Sequence, residues 1–126
     1  MIVKALVKLL KLPVEIIACP ILREDDGLAM SSRNMLLTPE ERKIASLVPK
    51  MMEGARDIAK QTGVGAAKSY ILNEVAQVSI MKLDYYEVCD TETLEPLTAL
   101  KPNQPAISLI AVFVGNIRLI DNWMIN

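Results

Sequence analysis

The chain has 126 residues, room for one domain with a true core and too few for two ordinary ones. Apolar residues make up 52% of it, which excludes a disordered chain. With 14 basic and 15 acidic side chains, a net charge of −1 and 4% aromatics, it has neither a basic face nor a stacking platform, so nucleic acid is not an expected partner.

There is no histidine, which removes Ser-His-Asp and Cys-His chemistry and the commonest general base. The two cysteines, Cys19 and Cys89, form no CxxC pair and cannot build an ordinary zinc site, so no metal ligands are assigned. They read as two buried, reduced thiols in a cytoplasmic protein.

In chain order, "MIVKALVKLLKL" predicts a helix over 2–11. Lys4, Lys8 and Lys11 share one face; Ile2, Val3, Leu6, Val7, Leu9 and Leu10 occupy the other. It lacks the cleavage site of a signal peptide, and no stretch reaches the length of a membrane span. Pro13 closes the helix. "VEIIACP" (14–20) is β-branched and apolar, the pattern of a buried parallel strand. One strand cannot make a parallel sheet, so the chain is expected to begin within a larger α/β unit.

"ILREDDGLAMSSRNMLLT" (21–38) reads as an ordered polar loop punctuated by Pro20 and Gly27. Thr38, Pro39 and Glu41 then form a T-x-x-E start to a helix over 38–61, which Pro49 should kink or split. Met51 and Met52 fall on its core face. "TGVG" (62–65) ends it, and a second helix follows at 66–78 with Tyr70, Ile71, Val75 and Val78 inward. "KLDYYEVCD" (82–90) alternates as a strand, with Leu83, Tyr85 and Glu87 opposed to Tyr86 and Val88. A proline-bearing loop covers 91–105. "AISLIAVFVG" (106–115) and "NIRLIDNWMI" (116–125) form a hairpin across Gly115-Asn116, in which Arg118 and Asp121 could pair. The fold class is α+β: two helices on a small three-stranded antiparallel sheet, preceded by a helix and strand that read as the last piece of an α/β unit.

The segment "DGLAMSSRN" (26–34) carries the chemistry. Ser31 and Ser32 offer hydroxyls and backbone N–H groups, and Arg33 a fork of donors, a set suited to phosphate oxygens. Gly27 lets a loop approach a ligand closely. A second reading stays open: a solvated turn with Arg33 paired to Glu24, Asp25 or Asp26. Arg23, Glu24, Asp25 and Asp26 suit a salt-bridged structural loop, Asp26-Gly27 a turn, and Glu41 and Arg42 the capping box and helix surface.

"CPILREDDGLAMSSRNMLLTPEER" (19–42) closely resembles a segment of the pantothenate synthetases (pantoate–β-alanine ligases), adenylate-forming enzymes. The likeness extends through "LPVEIIACP" and "IRLIDN", hence along essentially the whole chain. It implies that residues 1–20 are a remnant of an N-terminal Rossmann-like nucleotide-binding domain. Residues 21–126 would be a C-terminal lid bearing a KMSKS-like loop. The missing HIGH-like histidines fit such a fragment, with Met1 an introduced start. The resemblance further implies a reaction in the full-length enzyme: pantoate, ATP and Mg²⁺ give pantoyl adenylate and pyrophosphate, and β-alanine then gives pantothenate and AMP. No residue of this chain need act as a base. Ser31, Ser32 and Arg33 would bind the ATP phosphates, while the main chains of Leu22 and Met30 approach the nucleotide. The full-length enzyme would be a homodimer. The fragment would bind ATP weakly and not turn over. Its residues 1–20 would pack on the domain, pair with a second copy or swap between protomers. Two other readings are a stand-alone α+β binding or assembly module and an adenylate-forming ligase domain for another acid.

Overall fold

The structure, a computed structural model, describes residues 2–125. The side chains of Ile2 and Ala5 lie outside what it describes, as does the placement of Met1 and Asn126. Helix α1 spans Ile2–Leu9, and a 3-10 turn, η1, spans Ser32–Leu36. Helices α2, α3 and α4 span Pro39–Ala45, Leu47–Gln61 and Val64–Ala76. Strands β1, β2 and β3 span Met81–Asp90, Ala106–Val114 and Ile117–Met124 and form an antiparallel sheet in that order. The architecture is α+β, as the sequence predicts. No described helix is long and apolar enough to cross a membrane.

The helix start at Thr38 is built as its residues dictate. Thr38 Oγ1 accepts from Glu41 N–H at 3.2 Å, and Glu41 Oε2 accepts from Thr38 N–H at 2.8 Å, with Pro39 at the first helical position. The expected single helix is split, and the break falls at Ser46. Pro49 sits in the first turn of α3, where its missing N–H has no helical partner to lose.

The core lies between α3–α4 and one face of the sheet. Met52, Ala55, Ile71, Tyr86, Ile110 and Val112 are each no more than 1% exposed. The pairings Tyr86↔Ile110↔Asp121 and Leu83↔Val112↔Leu119 place these residues in rows on the inner face. Strand β1 departs from simple alternation: its register shifts between Leu83 and Tyr85, with Asp84 the extra residue. Leu83 therefore packs on the core with Tyr86 and Val88 instead of opposing them. The β2–β3 turn places Gly115 at φ 57°, and a Cβ there would strike the Glu41 carboxylate. The hairpin tip thus docks on the capping box of α2.

The N-terminal part differs most from expectation. Residues 12–20 form no strand, and all but Ile16 are exposed. Without neighbouring strands, a β-branched run has nothing to pair with. Cys19 is exposed, correcting its assignment as a buried thiol; Cys89 is buried, and burial pushes its thiol pKa up. In α1, Val3, Leu6 and Leu9 are 57%, 49% and 78% exposed, so this segment does not pack its apolar face on the domain.

Candidate functional site

Residues 22–30 fold into a miniature hairpin. Met30 N–H donates to Leu22 C=O at 2.9 Å, Glu24 N–H to Leu28 C=O at 2.8 Å, and Arg23 opposes Ala29. Its tip is the expected Asp26-Gly27 turn: Asp26 Oδ1 accepts from Leu28 N–H, and Gly27 has φ 87°. A Cβ on Gly27 would lie 3.3 Å from Pro49 Cβ. Its lack of a side chain allows this close approach to α3.

Two clasps fasten this hairpin. The Arg23 guanidinium makes a bidentate pair with Asp121, at 2.8 and 3.0 Å, and also donates to Gly27 C=O at 2.9 Å. It stacks 4.7 Å from the centre of the Trp123 ring, whose Nε1–H donates to Asp121 at 3.1 Å. Asp121 points inward from an edge strand, its side chain 1% exposed. The second clasp comes from α2: Arg42 donates to Glu24 at 2.7 Å and to Asp26 at 2.6 Å. These bonds to Arg42 hold both carboxyls below their ordinary pKa values, Asn34 adding to the effect on Glu24, and make Arg42 harder to deprotonate.

Asn34 joins the hairpin to η1. Its Nδ2 donates to Glu24 Oε1 at 2.6 Å and to Ala29 C=O at 3.0 Å, and its N–H donates to Ser31 C=O at 3.0 Å. Ser31 caps η1, its Oγ accepting from Arg33 N–H at 3.2 Å. Arg33 N–H is therefore already used, which leaves the Ser31 and Ser32 N–H groups, both hydroxyl hydrogens and the Arg33 guanidinium for a ligand.

The assigned residues divide between two hollows. Ser32 opens with Met30, Ser31, Glu24, Asn34 and Arg42 onto one of about 650 Å³. Arg33 opens with Met30, Ser31, Tyr85 and Ile120 onto a cleft of about 330 Å³ beside the sheet. Met30 and Ser31 border both, while Leu22 borders neither and is 71% exposed. Ser32 and Arg33 thus share a turn and open toward adjoining hollows.

Arg33 is exposed and forms no ion pair among the described residues. Glu24 and Asp26 are held by Arg42 instead, so the alternative pairing of Arg33 with either acid is not seen. Arg118 and Asp121 do not pair: Arg118 binds Asp84 on β1 at 2.7 Å, and Asp121 takes Arg23. Arg42 is more than helix surface, since it bridges two loop acids. Reading residues singly missed Asp121, although its alternation phase with Ile117, Leu119 and Trp123 points it inward.

A sequence model of the Pantoate-beta-alanine ligase family matches residues 1–124. The chain belongs to the pantoate-beta-alanine ligase family. It is 40% identical over 127 residues to a pantothenate synthetase of Clostridium acetobutylicum, covering 99% of this chain and 44% of that protein. A pantothenate synthetase of Leptospira biflexa is 42% identical over 127 residues, covering 96% and 43%. The crystal structure of pantothenate synthetase from Thermus thermophilus superposes with a TM-score of 0.87 at 35% identity, over 98% of this chain and 44% of that one. A pantoate-beta-alanine ligase from Francisella tularensis, complexed with beta-gamma ATP and beta-alanine, gives 0.58 at 26% identity, over 98% and 38%. The chain therefore spans less than half the length of the relatives it matches.

Proposed function

We propose that this chain supplies the phosphate-holding part of an ATP-dependent ligase that condenses pantoate with β-alanine. In this reading the pantoate carboxylate attacks the α-phosphorus of ATP, and the bond to the β-phosphate breaks. Pyrophosphate leaves, and pantoyl adenylate is formed. The β-alanine amine then attacks the acyl carbon, and AMP departs with pantothenate as product. Mg²⁺ enters with ATP, bound through its phosphates.

The observation that carries the reading is the Arg33 guanidinium: exposed, unpaired among the described residues, and on one turn with Ser31 and Ser32 in a chain of this family. Arg33 and the two serines hold the charge that gathers on the departing pyrophosphate, a positioning and electrostatic task that needs no base from this chain. Leu22 N–H and Met30 C=O, the hairpin groups not bonded to each other, are offered to the nucleotide as main-chain contacts.

In the same proposal, residues 21–126 are the lid and residues 1–20 belong with the other domain. The exposed apolar side chains of α1 and of Val14 and Ile17 support this, because they present surface that calls for a cover. The whole enzyme works as a cytoplasmic homodimer. By itself the chain binds ATP weakly, self-associates through residues 1–20 and makes no pantothenate, since the acid pocket and most nucleotide contacts lie in the other domain.

The test is complementation in trans. The chain is mixed with the N-terminal domain of a relative, complex formation is checked by sedimentation, and AMP and pantothenate are assayed with pantoate, β-alanine and ATP. Activity should appear only in the mixture. Pantothenate made by the chain alone, or a formed complex that makes none, would overturn the proposal.

A further inference from the structure

The hollow bordered by Ser31 and Ser32 has a carboxylate on its wall. Glu24 lines it, and a bare carboxylate there would repel any polyphosphate brought to the serines. Arg42 lines the same hollow and donates to that carboxylate at 2.7 Å. Its second fork is spent on Asp26 at 2.6 Å, the other acid of the hairpin held at this point. Glu24 in turn accepts from Asn34, whose carboxamide also holds Ala29 C=O. Asn34 is buried and lies within η1, directly after Arg33. An unbroken chain of contacts therefore runs from α2 to the turn that bears the serines.

We propose that Arg42 is a positioning residue of this site: it cancels the Glu24 charge on the hollow's wall and, through Glu24 and Asn34, fixes the turn that presents Ser31 and Ser32 to a polyphosphate. The inference rests on the ligase reading and adds to it a residue that does not itself touch the phosphate. Two effects act here, the Glu24 charge and the bonding through Asn34. Removing Arg42 uncovers both Glu24 and Asp26, but only Glu24 lines this hollow, and the Asn34–Ala29 bond survives. The electrostatic part is therefore the larger, and neutralising Glu24 should repair most of the damage. A residue needed only for folding would not be repaired that way.

The experiment titrates the full chain with inorganic pyrophosphate and follows the Ser31 and Ser32 amides by ¹H–¹⁵N correlation. In the native chain these amides should shift with weak, saturating binding. Arg42→Met should weaken binding roughly tenfold, the effect of one charge close to an anion. The double variant Arg42→Met/Glu24→Gln should return to within about threefold of the native chain, since Gln still accepts from Asn34. Should Arg42→Met fail to fold, Glu24→Gln alone is expected to tighten binding. An unchanged affinity in Arg42→Met, or a folded double variant no better than the single one, would overturn the inference. So would weaker binding by Glu24→Gln, or no response from the native chain. The outcomes with the variants leave the ligase reading untouched, which is tested separately by complementation with the second domain.

Discussion

Residues 2–21 and residues 22–34 are neighbours in the chain, and neither contributes a strand to the sheet. The first segment is apolar and largely exposed; the second is charged and fastened by two ionic clasps. The apolar segment has α1 and a run of β-branched residues but no surface to cover them, because hydrophobic attraction names no particular partner. The polar segment carries its own addresses. Arg23 finds Asp121 98 positions away, and Glu24 and Asp26 share Arg42 on α2. Directional, charged groups hold a loop in place where apolar bulk awaits a second surface.

The contrast can be broken most sharply at Asp121. Asp121→Ala removes the acceptor of both Arg23 and Trp123 and leaves a cation half-enclosed, so urea unfolding should show a loss of about 3 kcal/mol. A loss below about 1 kcal/mol would mean that packing, not the clasp, holds the hairpin. Acid should open the second clasp before the sheet. Glu24 and Asp26 are held below their ordinary values of 4.5 and 3.8 mainly by hydrogen bonds to Arg42. For acids with depressed folded-state values the contribution is full above the ordinary value and fades as pH falls through the folded one. Hydrogen exchange at the Glu24 and Met30 amides, which close the hairpin, should therefore speed up as pH falls below about 4.5, relative to β2 amides and after correction for intrinsic rates. The smallest effect belongs to the apolar segment. Leu6→Lys with Leu9→Lys should change stability by less than about 0.5 kcal/mol, as expected for surface sites. It should also reduce any self-association seen by sedimentation. A large destabilisation would show that α1 packs on the domain after all.

The regular elements were legible because their determinants are local. The Thr38–Glu41 box, the division of the long helix and the Gly115-Asn116 hairpin each depend on residues within a few positions. The strand expected at 14–20 was not, because a parallel strand exists only beside others and no local signal supplies them. The Asp84 bulge was hidden for a related reason: one unpaired residue shifts the alternation phase without changing composition. At the site, the Ser31–Arg33 turn could be read as a set of donors, but whether Arg33 pairs with a loop acid could not; it is unpaired among the described residues. Its division between two hollows could not be read, since a 3-10 turn decides which way successive side chains open. Arg42 and Asp121 escaped because their partners are remote in sequence, and charges read singly look like solvated surface.

The central claim is that Arg33 stabilises charge on the pyrophosphate as it leaves. The most direct measurement is kcat and KM for ATP in the reconstituted mixture, native against Arg33→Ala, with ¹H–¹⁵N spectra confirming that the variant stays folded. The account predicts a loss in kcat of about a hundredfold or more, the scale seen when one preorganised donor is removed. A kcat within about twofold of the native value would contradict it and return the Ser31–Arg33 turn to a solvated surface loop.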